Sequence, residues 1–163
     1  VPVAIRPYVP ADLDALVAVN DAAYPAVPIT PASELAELIA MSRVALVADD
    51  GEVAGFVVAL APGQTYASEN YTWFSTRSND FLYVDRIVLA PRLQGQGVGP
   101  RLYAAVEEAA RADGATEITC EVNVRPANPG SLAFHARLGF VEVGRQETKG
   151  GTTEVALLAL PVS

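Results

Sequence analysis

Cysteine is almost absent: Cys120 stands alone in 163 residues. A single thiol has no internal partner for a disulfide, which leaves the hydrophobic core to hold the fold and points to a reducing, cytoplasmic setting. Its neighbours in "TEITCEVNV" read as a buried strand, so packing is the expected role of this thiol rather than catalysis. Long apolar runs are missing too. Nothing approaches the roughly 18 uninterrupted residues of a bilayer span, and no membrane association is expected. The opening "VPVAIRPYVPADL" lacks the basic head and extended apolar stretch of a secretory leader. Positive charge is short: 11 Lys and Arg stand against 19 Asp and Glu, a formal net charge of -8. Such a field repels phosphate backbones, so nucleic acid is not an expected partner, and a polyanionic ligand needs a dedicated local site. Repeats, low-complexity tracts and linkers are absent, apart from the polar "APGQTYASENYTWFSTRSND" at 61–80, which reads as one long loop.

What is present suits one packed domain over 1–163, with 51% apolar residues and short apolar runs throughout. Residues 3–8 read as a strand, "PADLDALVAVNDAAY" and residues 32–41 as helices, and "RVALVADD" with "EVAGFVVAL" as a hairpin turned at Asp-Asp-Gly. The β-branched and aromatic "FLYVDRIVL" at 81–89 reads as a strand, residues 98–111 as a helix stopped by Gly114, and "ATEITCEVNV" as the next strand. "PGSLAFHARLG" reads as a helix ended by Gly139, and "FVEVGRQE" with "TTEVALLAL" as a closing strand pair. Hairpins around one β-α-β crossover predict an α/β mixed sheet with helices on both faces.

Three glycines in five residues, Gly95, Gly97 and Gly99, sit where the 81–89 strand passes into the following helix. A helix N-terminus presents unpaired N–H groups and the positive end of its dipole, and glycine lets a backbone approach an anion closely. A tight turn needs one such residue, so three point to a phosphate cradle. A nucleoside triphosphate loop would end in Gly-Lys-Ser/Thr, where this chain has Gly99-Pro100-Arg101. A dinucleotide fingerprint would want glycine at Pro100, though Glu121 falls near the place of a ribose-binding acid, and that reading stays as a minor alternative.

"Gln94-Gly95-Gln96-Gly97-Val98-Gly99" resembles the Q/R-x-x-G-x-G/A motif of the GNAT acetyltransferase superfamily. Ile87-Val88-Leu89 before Pro91 looks like the strand preceding that loop, and "NPGSLAFHARLGF" like the family's N-x-x-A-x-x-x-Y-x-x-x-G-F helix. The order of elements is similar over nearly the whole chain. The resemblance implies a mixed, mostly antiparallel sheet of six to seven strands flanked by about four helices, with splayed central strands holding acetyl-CoA. It implies pantetheine contacts at Ile87, Val88 and Leu89, pyrophosphate contacts along Gln94, Gly95, Gln96, Gly97, Val98 and Gly99, and a further cofactor contact at Asn128. Asn128 also suits the N-cap of the next helix, ahead of Pro129. Pro100 departs from the family by offering no amide.

The implied reaction moves an acetyl group to a primary amine of a small molecule or peptide, without a metal. An alkyl amine is neutral in roughly one molecule in a few thousand at pH 7, so a base is useful. Two acids compete for that role: Glu121, and Asp85, which period-two alternation puts on the side of Ile87 and Leu89. The family's acid is often a tyrosine seven residues after the asparagine; here that position is His135, the chain's only histidine, with Tyr83 and Tyr103 as other donors. Tyr66, Tyr71, Trp73 and Phe74 are expected to line the acceptor pocket or to cover the sheet or a second copy of the chain. The replacement of tyrosine by His135 leaves open a non-catalytic domain that binds or senses an acyl-CoA.

Overall fold

The computed structural model describes residues 2–163. In chain order it comprises β1 (Ala4–Pro7), α1 (Leu13–Ala22), α2 (Ala32–Met41), β2 (Val44–Asp49), β3 (Val53–Leu60), α3 (Glu69–Arg77) and β4 (Phe81–Leu89). There follow α4 (Val98–Asp113), β5 (Glu117–Arg125), α5 (Pro129–Leu138), β6 (Val141–Thr148) and β7 (Thr153–Pro161). The strands form one sheet in the order β1-β2-β3-β4-β5-β7-β6, antiparallel except where β4 meets β5. A single parallel pair is not a doubly wound sheet, which removes the dinucleotide alternative.

Apolar side chains cover both faces. On one, Val98, Leu102, Val106 and Ala110 of α4 pack with Leu132 and Phe134 of α5 on the sheet. On the other, Leu16 of α1, Leu35 and Leu38 of α2, and Tyr71 and Phe74 of α3 pack on Phe56, Val58 and Tyr83. β3 is buried on both faces, as its unbroken apolar sequence requires.

Two expectations need correction. The stretch 61–80 is not all loop, because residues 69–77 form α3. Its polar composition hides an N-cap in which the Ser68 hydroxyl accepts from the Tyr71 N–H at 3.1 Å, and an i, i+3 pair, Tyr71 and Phe74, that docks in the core. The alternation along β4 also breaks. Val58 and Ala59 of β3 pair with Arg86 and Val84, so Asp85 is a bulge with no cross-strand partner. Leu82 and Val84 therefore share the α4–α5 face with Ile87 and Leu89, while Tyr83 and Val88 face α1–α3. Asp85 turns away from Ile87 and Leu89 and bonds Tyr66 on the α1–α3 side.

Candidate active site

β4 and β5 pair only from Phe81–Tyr83 to Glu117–Thr119. Beyond the bulge they diverge, and the backbone edge of β4 is left open. The Ala90 N–H bonds the Ala54 carbonyl at 2.7 Å, so by antiparallel alternation Val88 also exchanges its bonds with β3, whereas Ile87 and Leu89 direct theirs into the gap. Of the three strand residues expected to meet the pantetheine arm, Ile87 turns its N–H and carbonyl to the gap and Leu89 its N–H, with the Leu89 carbonyl taken by the Gln94 side chain. Val88 turns neither group there.

The glycines divide into two kinds. Gly95 and Gly97 have φ of 75° and 74°, in the left-handed region, and no atom stands within 4 Å of where a Cβ would be. Gly99 is helical, and its Cβ would lie 2.8 Å from the Phe134 ring, so it serves the α4–α5 packing. The backbone N–H groups of Gly95, Gln96, Gly97, Val98 and Gly99 find no acceptor among the described residues. They form an open cradle at the start of α4. Pro100 is exposed in the first helical turn, where a missing N–H breaks no helix bond. Gln94 and Gln96 turn back to the carbonyls of Leu89 and Arg92 at 3.5 and 2.6 Å, and brace the loop.

Two cavities meet at the split. The smaller, about 100 Å³, is lined by Ile87 of β4, Cys120 of β5, Tyr103 of α4, and Asn128, Ser131 and His135 at α5. The larger, about 410 Å³, lies between the loop before α3, the turn before α2 and the β6–β7 hairpin. Asp85, Arg86, Glu121 and Asn123 line both. Glu121 thus stands at the junction, and the Tyr83 hydroxyl donates to its Oε1 at 2.6 Å. Burial and the Asp85 charge push its carboxyl up to about 8, against the Tyr83 hydrogen bond and Arg86, which favour the anion. Asp85 is differently placed: it pairs with Arg86 at 2.7 Å and accepts from the Tyr66 hydroxyl. Arg86 is held in turn by Asn20 and Thr30 at 3.0 and 2.9 Å, which ties the α1–α2 segment to the split.

His135 is 3% exposed. Its Nδ1 lies 2.8 Å from the Ser131 carbonyl and its Nε2 2.7 Å from the Tyr103 hydroxyl. A carbonyl can only accept, so Nδ1 carries the proton and Nε2 accepts from Tyr103. Burial lowers the pKa of the ring, against the Ser131 bond, and keeps it neutral. Cys120 is buried with its thiol pushed up by burial, an inert packing residue as the sequence suggests. Asn128 accepts from the Ser131 N–H at 3.4 Å as the N-cap of α5 while lining the smaller cavity. Of the four aromatics expected in the acceptor pocket, Tyr66 lines the larger cavity; Tyr71, Trp73 and Phe74 instead pack in the α1–α3 core, with Trp73 over Gly144. Among residues the sequence singled out only in passing, Tyr83 holds Glu121 and Tyr103 holds His135. Thr148, Lys149 and Thr153, which wall the larger cavity, carried no local signal.

The sequence matches the description Acetyltransferase (GNAT) family over residues 14–140, most of the chain. This chain belongs to the GNAT acetyltransferase family. It is 32% identical over 120 residues to the aminoglycoside N(6')-acetyltransferase type 1 of Klebsiella aerogenes, which covers 69% of this chain and 72% of that protein. Its fold is similar to Ard1 from Thermoplasma volcanium, with a TM-score of 0.81 at 17% identity over 100% of this chain and 99% of that one. It is also similar to yncA from Salmonella typhimurium, solved with its cofactor acetyl-CoA, with a TM-score of 0.73 at 17% identity over 100% and 95%. The mixed seven-stranded sheet with flanking helices is the GNAT architecture. The residues present fit the family's cofactor: free N–H groups under open space at Gly95 and Gly97 for the pyrophosphate, and the open edge of Ile87 with the Leu89 N–H for the pantetheine arm.

Proposed function

We propose that this GNAT protein is an acetyl-CoA-dependent N-acetyltransferase for primary amines, with Glu121 as general base. The observation that carries the reading is the position of Glu121 where the smaller cavity, taken as the cofactor side, and the larger cavity, taken as the acceptor side, join, with its carboxyl pushed up to about 8. A base of that strength takes a proton from an ammonium far more readily than an ordinary carboxylate does. Asp85 is less suited, because its two oxygens are already held by Tyr66 and Arg86. The bound cofactor supplies an activated acetyl thioester. The Gly95–Gly99 amides would hold its phosphates, Asn128 would meet it beside the α5 N-terminus, and an N–H of the open β4 edge would meet charge developing on the acetyl oxygen. Neutral His135, through Nε2, orients the Tyr103 hydroxyl in the wall of the cofactor-side cavity.

The test is thiol release from acetyl-CoA across a panel of primary amines, comparing the protein with Glu121→Gln. Loss of a base predicts a fall of about 10²- to 10⁴-fold in turnover, with acetyl-CoA affinity by calorimetry unchanged. Tight acetyl-CoA binding without transfer to any amine would overturn catalysis and leave a cofactor-binding domain.

A further inference from the structure

Given that the larger cavity takes an amine, as proposed above, its far wall narrows what else the acceptor carries. Lys149, at the tip of the β6–β7 hairpin, is the only lysine in a chain of net charge -8. Eight arginines pair with carboxylates, yet Lys149 has no carboxylate within 4.0 Å among the described residues. Its backbone is held at φ 54° while its N–H donates to Glu69 Oε2 at 3.2 Å, so the turn that presents it to the cavity is anchored to α3.

On either side of it, Thr148 and Thr153 are direct cross-strand partners that line the same cavity. They are 6% and 8% exposed, and their hydroxyls open onto the cavity; among the described residues the one fully enclosed side-chain polar atom without a partner is instead Thr119 Oγ1. A hydroxyl that faces a cavity and is engaged by no protein group is free to donate to a ligand in place of water. Thr153 shares the face of Val155 and Leu157, the face that looks into the α1–α3 side where the cavity opens. Two unspent hydroxyl donors and an unpaired ammonium converging on one wall make a site for an oxyanion.

We propose that the acceptor is an amino compound bearing an oxyanionic group, a carboxylate or a phosphonate or phosphate, which Thr148, Lys149 and Thr153 bind while Glu121 takes the amine. Polycationic amines fit this wall poorly, since Lys149 repels them and the hydroxyls gain nothing from them.

The experiment compares β-alanine, 4-aminobutyrate and 5-aminopentanoate with their amides, and with 3-aminopropylphosphonate and O-phosphoethanolamine, as acceptors for the wild-type protein, Lys149→Met and Lys149→Arg. At least one acid is expected to exceed its amide in kcat/KM, and the carboxylate and phosphorus arms show which oxyanion is preferred. Lys149→Met is expected to raise KM for the anionic amines about 10- to 100-fold, far more than for their amides and with the effect on KM exceeding that on kcat, and to be partly rescued by Lys149→Arg. Because Lys149 is the sole ε-amine, its labelling by trinitrobenzenesulfonate, read by mass spectrometry, should be slowed by the preferred anion and not by its amide. Transfer to amides or polyamines at rates equal to or above the acids, insensitive to Lys149→Met, would overturn the anion site and leave the amine acetyltransferase intact. No transfer to any amine would overturn both.

Discussion

Replacing Glu121 with glutamine tests the electrostatics of the site without reference to any acceptor. In the unfolded chain this carboxyl ionises near its ordinary value of 4.5, whereas in the folded protein it holds its proton up to about 8. Between those values the native state binds a proton that the unfolded state has released, so stability falls as pH rises through that window, and the full penalty is present above 8. At about 1.4 kcal/mol per pH unit, the whole interval is worth about 5 kcal/mol, of which about 4 kcal/mol develops between pH 5 and pH 9. Glutamine keeps an oxygen in place to accept from Tyr83 and never develops the charge. Wild type and Glu121→Gln should therefore be nearly equal in stability near pH 5, and the variant should be the more stable at pH 9. For a domain of this size the gap corresponds to roughly 8–15 °C in Tm. Thermal unfolding of both proteins across pH 5–9 measures it, and taking the difference cancels the other titrating groups. A difference that stays constant from pH 5 to 9 would refute the burial argument, and with it the case for Glu121 as a tuned base.

Tyr83→Phe removes the hydrogen bond that favours the Glu121 anion, so the ascending, acid-side limb of kcat/KM should move to higher pH; a limb that stays in place would show that this bond does not tune the base. Gly97→Val puts a β-branched residue at φ 74° inside the cradle and should reduce acetyl-CoA affinity at least tenfold by calorimetry. Gly99→Ala pushes a Cβ to 2.8 Å from the Phe134 ring and should destabilise the fold by about 1–3 kcal/mol in urea unfolding, because the overpacking lies between α4 and α5. Leu102→Ala, at a fully buried α4 position, should lose about 2–5 kcal/mol in the same assay with cofactor affinity retained in the folded fraction.

Most elements of the fold were legible in the sequence, because their signals are local. Strand β4 and helix α2 lie at the positions read from β-branched content and helical spacing, and the three glycines marked the strand-to-helix cradle. The family motif could likewise be read from residues 94–99 and 128–140 and needed no neighbours in space. Three features were decided by tertiary structure alone. Helix α3 is too polar to announce itself and is stabilised by docking Tyr71 and Phe74 against the sheet. The bulge at Asp85 arises from the pairing of β4 with β3, and a one-residue slip in that ladder reverses which side chains face the α4–α5 layer and which face the α1–α3 layer. The choice between two candidate bases rests on partners brought in by the fold, with Tyr66, 19 residues away, joining the neighbouring Arg86 on Asp85, while Tyr83, 38 residues away, alone meets Glu121 in a desolvated junction. A residue type and its spacing state what chemistry is available; burial and long-range partners set a carboxyl's pKa, and those exist only once the chain has folded.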